Sequence, residues 1–139
     1  MAMHDLGIGF VDDRNPDVYG REQVTLVASR YMSTQAIALM LVCSDTHEPW
    51  LTCSLNFPDV QPLPEDCIWV KDYAENEGLK SLLMRNGIIK PEVVKRMVIG
   101  GSSGFWVAAY RLAPKVVDAL VEKEAQFDLR RSKAASCAM

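Results

Sequence analysis

The sequence predicts an α+β fold: an antiparallel sheet of about five strands, arranged as a meander, with two or three helices packed on one face. Three observations carry this. Short apolar or alternating runs separated by turn residues fill the stretch from Val24 to Lys71, which is the pattern of consecutive strands. After Asp72 the apolar spacing lengthens to the helical period at Leu79, Leu82 and Leu83. Apolar residues make up 49% of the 139 and charged residues 24%, enough for one domain of this length to bury a core and too apolar for disorder.

Each element follows in order. Residues 1–22, rich in Gly, Asp, Asn and Pro, read as an irregular arm with one edge strand at most, pinned by Phe10. Residues 24–112 form the expected core. Val24–Tyr31 is β-branched enough for a strand, and Ala36–Cys43 is apolar on both parities, as in an interior strand covered on both faces. Asp45–Pro49 supplies turn chemistry. Trp50–Asn56 alternates, with Leu51, Cys53 and Leu55 inward and Trp50, Thr52, Ser54 and Asn56 outward. The loop Phe57–Asp66 holds three prolines, which exclude it from a sheet interior. Cys67–Lys71 is a short strand with Trp69 on the outward side.

Asp72 and Glu75 resemble a capping box that opens a helix ended by Asn86-Gly87. Pro91 is placed as the first residue of a second short helix carrying Val94, Met97 and Val98. Gly100–Gly104 breaks the chain, Phe105–Leu112 is the fifth strand, and a final helix spans 114–131 with Val116, Val117, Leu120, Val121 and Phe127 as its buried face. Residues 132–139 are expected to fray.

The totals exclude several classes. A net charge of −3 and an isoelectric point near 5.3 oppose a general grip on phosphate backbones. The charge is uneven: ten acids and three bases in residues 1–70, eight acids and twelve bases in 71–139. Met1–Asp5 has no basic n-region before an apolar run. No apolar run approaches the roughly 18–20 residues of a membrane span. Cytoplasm and four free thiols are the expectation, since Cys43, Cys53, Cys67 and Cys137 show no paired spacing.

Chemistry finds little to hold. His4 and His47 lie far apart and lack partners at metal-ligand spacing, so no metal and no cofactor is expected. Cys43 and Cys53 alternate with core residues, and Cys67 follows Glu65-Asp66, whose charge raises a thiol pKa. The glycine-serine run 100–104 precedes a strand and lacks the Lys of a P-loop, leaving a looser anion nest as its sharpest reading. Paired acids at Asp12-Asp13, Glu65-Asp66 and Glu75/Glu77 sit where solvated acids and caps also belong. Trp50 and Trp69 share the outward parity on strands expected to be neighbours. They form either an exposed binding patch or a face covered by a helix. Candidate partner-binding residues are therefore Asp12, Asp13, Glu65, Asp66, Trp50 and Trp69.

The order Ala36-Ile37-Ala38-Leu39, Glu48-Pro49-Trp50, Leu51-Thr52-Cys53-Ser54-Leu55-Asn56, then Ile68–Tyr73, Glu75–Leu79 and Asn86-Gly87-Ile88 resembles a family of small domains of unknown function carried on bacterial plasmids and phages. The likeness covers about residues 24–112, and this chain lacks the glycine that precedes Glu-Pro in the pattern. The resemblance carries no catalytic residues. It implies a mobile-element setting, in which small accessory proteins often blunt host defences.

The expected function is a non-enzymatic protein that binds and inhibits a host protein or ribonucleoprotein complex, of anti-CRISPR or anti-restriction kind, with its acids meeting a basic partner surface. The alternative is a nucleic-acid-binding accessory protein using Lys90, Lys95, Arg96, Arg130, Arg131 and Lys133. An enzyme ranks last. No membrane contact is expected, and a dimer is open.

Overall fold

The computed structural model describes residues 3–101 and 104–137, with the side chains of Tyr19 and of residues 132–137 outside the description. It is α+β, but the sheet is not a single meander. Eight antiparallel strands form two four-stranded sheets. The first runs in the order β1 (His4–Asp12), β2 (Glu22–Arg30), β3 (Ile37–Cys43) and β4 (Pro49–Thr52). The second runs in the order β5 (Ser54–Leu55), β6 (Cys67–Val70), β8 (Phe105–Leu112) and β7 (Ile89–Ile99). Helices α1 (Pro16–Tyr19), α2 (Leu79–Arg85) and α3 (Pro114–Cys137) complete it.

The expected strand Trp50–Asn56 is two strands because it changes sheets at Cys53. The Cys53 N–H donates to the Leu39 carbonyl of the first sheet, and its own carbonyl accepts from Lys71 N beside the second. At this crossing β3 loses its ladder partner, and the Ser54 hydroxyl replaces it: Leu39 N donates to Ser54 Oγ at 2.9 Å, with Tyr31 Oη 2.7 Å from the same oxygen. Ser54, read as outward, is buried for this reason.

One core lies between the sheets and the helices. Leu26 faces Leu41 and Ala28 faces Leu39 across β2–β3, and these join Ile68 and Val70 of β6, Leu79, Leu82 and Leu83 of α2, and Val116 and Leu120 of α3. The stripe read for α2 is thus correct. β3 is interior as expected. Its second face is covered unevenly, with Val42 buried and Ala38 and Met40 half-buried.

Four expectations are corrected. The arm 1–22 holds the edge strand allowed for it, with Phe10 buried, but it is less irregular than expected: β1 runs nine residues, paired with β2 from His4↔Ala28 to Asp12↔Glu22, because Leu6, Phe10 and Asp12 present one parity inward. The helix at Pro91 is β7, an eleven-residue strand. Four of its residues are β-branched beyond Ile89 (Val93, Val94, Val98, Ile99), and an edge strand tolerates Pro91. Asp72 does cap a helix, but one that begins at Leu79: its Oδ1 accepts from Lys80 N at 3.0 Å, while Glu75 pairs with Lys71. Finally, α3 continues to Cys137, beyond residue 131, and Val121 and Phe127, placed on its buried face, are exposed.

The β7–β8 hairpin is closed by a turn in which Gly100 takes φ +86°, a left-handed value suited to glycine. A Cβ on Gly104 would sit 2.0 Å from the Ile99 carbonyl oxygen, so no side chain fits there. Ser102 and Ser103, on which an anion nest would depend, lie outside the described residues.

Candidate interaction surfaces

The six candidate residues divide between two places. Asp12, Asp13 and Trp50 lie near the 74–78 turn. Asp12 is 5% exposed and is gripped by the Arg14 Nε and Nη2 at 2.9 Å each, by Arg14 N at 3.2 Å and by Trp50 Nε1 at 2.8 Å. Arg14 Nη1 also donates to the carbonyls of Glu75 and Glu77 at 3.3 Å. Burial pushes the Asp12 carboxyl up, yet the hydrogen bonds from Arg14 and Trp50 outweigh it and hold the group below its usual range. Asp13 pairs with Arg85 at 3.1 Å.

Glu65, Asp66 and Trp69 lie around the proline loop. Arg111 bonds Asp66 at 2.5 Å and lowers its carboxyl. Glu65 is exposed. Trp69 is 5% exposed, and its ring meets Phe57 edge-on at 5.7 Å. Leu55, Val60 and Leu63 pack over it.

Trp50 and Trp69 therefore do not form a pair, because β4 and β6 belong to different sheets. Trp69 lies under the proline loop, and Trp50 is half-buried against the core and tied to Asp12. Three of the four candidate acids are paired with an arginine of the same chain.

The exposed tryptophan is a different residue. Trp106 is 69% exposed and Val98, directly opposite it on β7, is 48% exposed. Arg96, opposite Ala108, shares their face, as antiparallel partners do. This face continues the core-facing side of Ala108 and Tyr110 beyond the end of the core. It is uncovered for a geometric reason. Seven residues of α2 span about 10 Å, whereas eleven residues of β7 span about 36 Å. At the inner end of the patch, Trp106, Tyr73, Asp72 and Lys80 frame a small pocket of about 170 Å³. The sequence held a signal for this: Phe105 and Trp106 are adjacent bulky rings on one strand, so period-2 alternation forces them onto opposite faces.

Burial pushes the Cys53 thiol to about 12 and the Cys67 thiol to about 11, so neither offers a thiolate near neutrality. Both Asp12 oxygens are occupied by donors, which unfits it as a general base. His4 packs against Phe127. Among the described residues, no cluster of three or more His, Cys, Asp or Glu side chains is placed to hold a metal. No described helix is long and apolar enough to cross a membrane. Compared with protein-family models, curated proteins and solved structures, the chain matches none.

Proposed function

We propose that this chain is a non-enzymatic binding protein that grips a macromolecular partner through the overhanging face of the β7–β8 hairpin. The observation that carries the reading is Trp106, most of its ring in solvent, set against Val98 and beside Arg96. Tryptophan and arginine around a small apolar centre are the residues that dominate protein interfaces. Lys90, Lys95 and Arg96 against the single acid Glu92 make β7 basic. The complementary partner surface is an apolar pocket rimmed by acids. The likeness to plasmid- and phage-borne domains supports a host protein or ribonucleoprotein complex as that partner, inhibited by occlusion in the manner of an anti-CRISPR or anti-restriction protein.

The test uses tagged protein in extracts of bacteria that carry a CRISPR system. A partner retained by the wild type should be lost with Trp106→Ala and with Val98→Ser, and kept with Glu65→Lys. Retention by both hairpin variants overturns the reading.

A second reading is favoured by Trp106 and Arg96 sharing one face: a stacking platform for single-stranded nucleic acid. Its signature is affinity for a bare oligonucleotide falling by about 0.7 log units per log of salt for each phosphate contact. Salt-independent binding of a protein partner rejects it.

A further inference from the structure

The crossing at Cys53 has a consequence on the far side of the molecule. Once the chain leaves β3 to follow β6, the amino-terminal ends of those two strands are no longer joined through a common neighbour. Ile37 on one and Ile68 on the other line a cleft of about 700 Å³, within the range of small-molecule sites. The proline loop forms much of its other boundary, with Phe57, Leu63 and Trp69 among the lining residues.

Most of the polar groups along the cleft are uncharged, Ser33, Thr34, Gln35, Asn56 and Gln61 among them. Asn56 Nδ2 donates to Ser33 Oγ and Thr34 Oγ1 donates to Asn56 Oδ1, each at 2.9 Å. The Ser33 hydroxyl proton is left over by that network. The cation on the lining, Arg30, is committed: its Nε and Nη2 clasp Glu124 at 2.8 and 3.1 Å, and its Nη1 donates to the Gln35 carbonyl at 3.1 Å. Glu65 adds a negative charge to the same lining. An anionic ligand therefore meets a spent cation and an unfavourable carboxylate.

We propose that this cleft binds a small uncharged molecule with an apolar body and one hydrogen-bonding end, independently of the hairpin surface. The probe is N-phenyl-1-naphthylamine, which is neutral and fluoresces in apolar sites, set against its sulfonated anionic analogue, 1-anilinonaphthalene-8-sulfonate. The neutral probe should bind one per chain, and the anionic one at least about tenfold more weakly. Ala36→Trp, at a half-buried lining position, should fill the cleft and weaken the neutral probe by about tenfold or more. Gln61→Trp, in the exposed loop, gives a second block should Ala36→Trp melt early. Trp106→Ala should leave probe binding unchanged. Equal or tighter binding of the sulfonate, unchanged affinity in both blocking variants, or loss of binding with Trp106→Ala overturns the proposal.

Discussion

The Trp50 indole donates to Asp12 Oδ2 at 2.8 Å, so two of the candidate partner-binding residues satisfy each other. With Arg14 they close a buried polar knot joining the end of β1, β4 and the 74–78 turn. Removing Asp12 leaves an arginine side chain only 13% exposed without its counter-charge. Asp12→Ala should cost about 3 kcal/mol in urea unfolding. Asp13→Ala, whose partner is solvent-exposed, should cost under about 1 kcal/mol. Equal losses would show that the knot is not structural.

The same knot sets a pH dependence. The folded-state carboxyl of Asp12 lies below its ordinary value, so its contribution is fully present above the unfolded pKa, about 3.9. It is lost as pH falls through the lower folded value. Stability should stay level on this account down to about pH 4 and then drop. Asp12→Asn should flatten that acid limb, and an unchanged acid limb in the variant would refute the assignment.

Ser54→Ala strips the replacement partner from the strand crossing and leaves Leu39 N–H and the Tyr31 hydroxyl unsatisfied. The expected cost is about 2 kcal/mol. The Tyr31 phenol provides a second readout. Burial raises it and the Ser54 bond partly offsets that, so its alkaline absorbance titration should move higher still in the variant. A downward move would mean that water has replaced the serine.

Trp106 should dominate quenching of tryptophan fluorescence by acrylamide, since Trp50 is half-buried and Trp69 buried. Trp106→Phe should remove the red-shifted, quencher-accessible component and change stability by less than about 0.5 kcal/mol. A large loss of stability would place that ring inside a packed site.

Thiol labelling at pH 8 is the remaining check. In a Cys137→Ser background, Cys53 and Cys67 should resist labelling until the protein unfolds, because both are buried and their thiols lie near 12 and 11. Cys43, half-buried and also raised, should react slowly. Fast modification of all three would contradict the burial of Cys53 at the crossing.

The strands with strong alternation or continuous apolar character were legible in the sequence: β2, β3, β6 and β8 fall within a residue or two of where the pattern puts them. The stripe of α2 and the sidedness of Trp69 were legible too. What was hidden depends on tertiary partners. β1 looks like a loop because its glycines and acids obscure Leu6 and Phe10, and only β2 makes it a strand. β7 carries helix-compatible spacing at Val94, Met97 and Val98, and the hairpin with β8 overrides it. The acids read as free because their arginines, Arg85 and Arg111, lie 72 and 45 residues away. Arg14, two residues from Asp12, was within reach of the sequence. The short reach of α2 over a long hairpin, which exposes Trp106, is a comparison of lengths that needs both elements assigned correctly first.

The peptide units on either side of Cys53 belong to different sheets, and this constrains how the molecule comes apart. Neither sheet has a complete set of neighbours without the other, since melting β4 pulls on β5 and melting β6 frees the carbonyl held by Lys71. Heat or denaturant should therefore release both sheets in one cooperative step. A chain severed in the proline loop has no half that carries its own finished core, so the two fragments should hold the fold only while they stay associated.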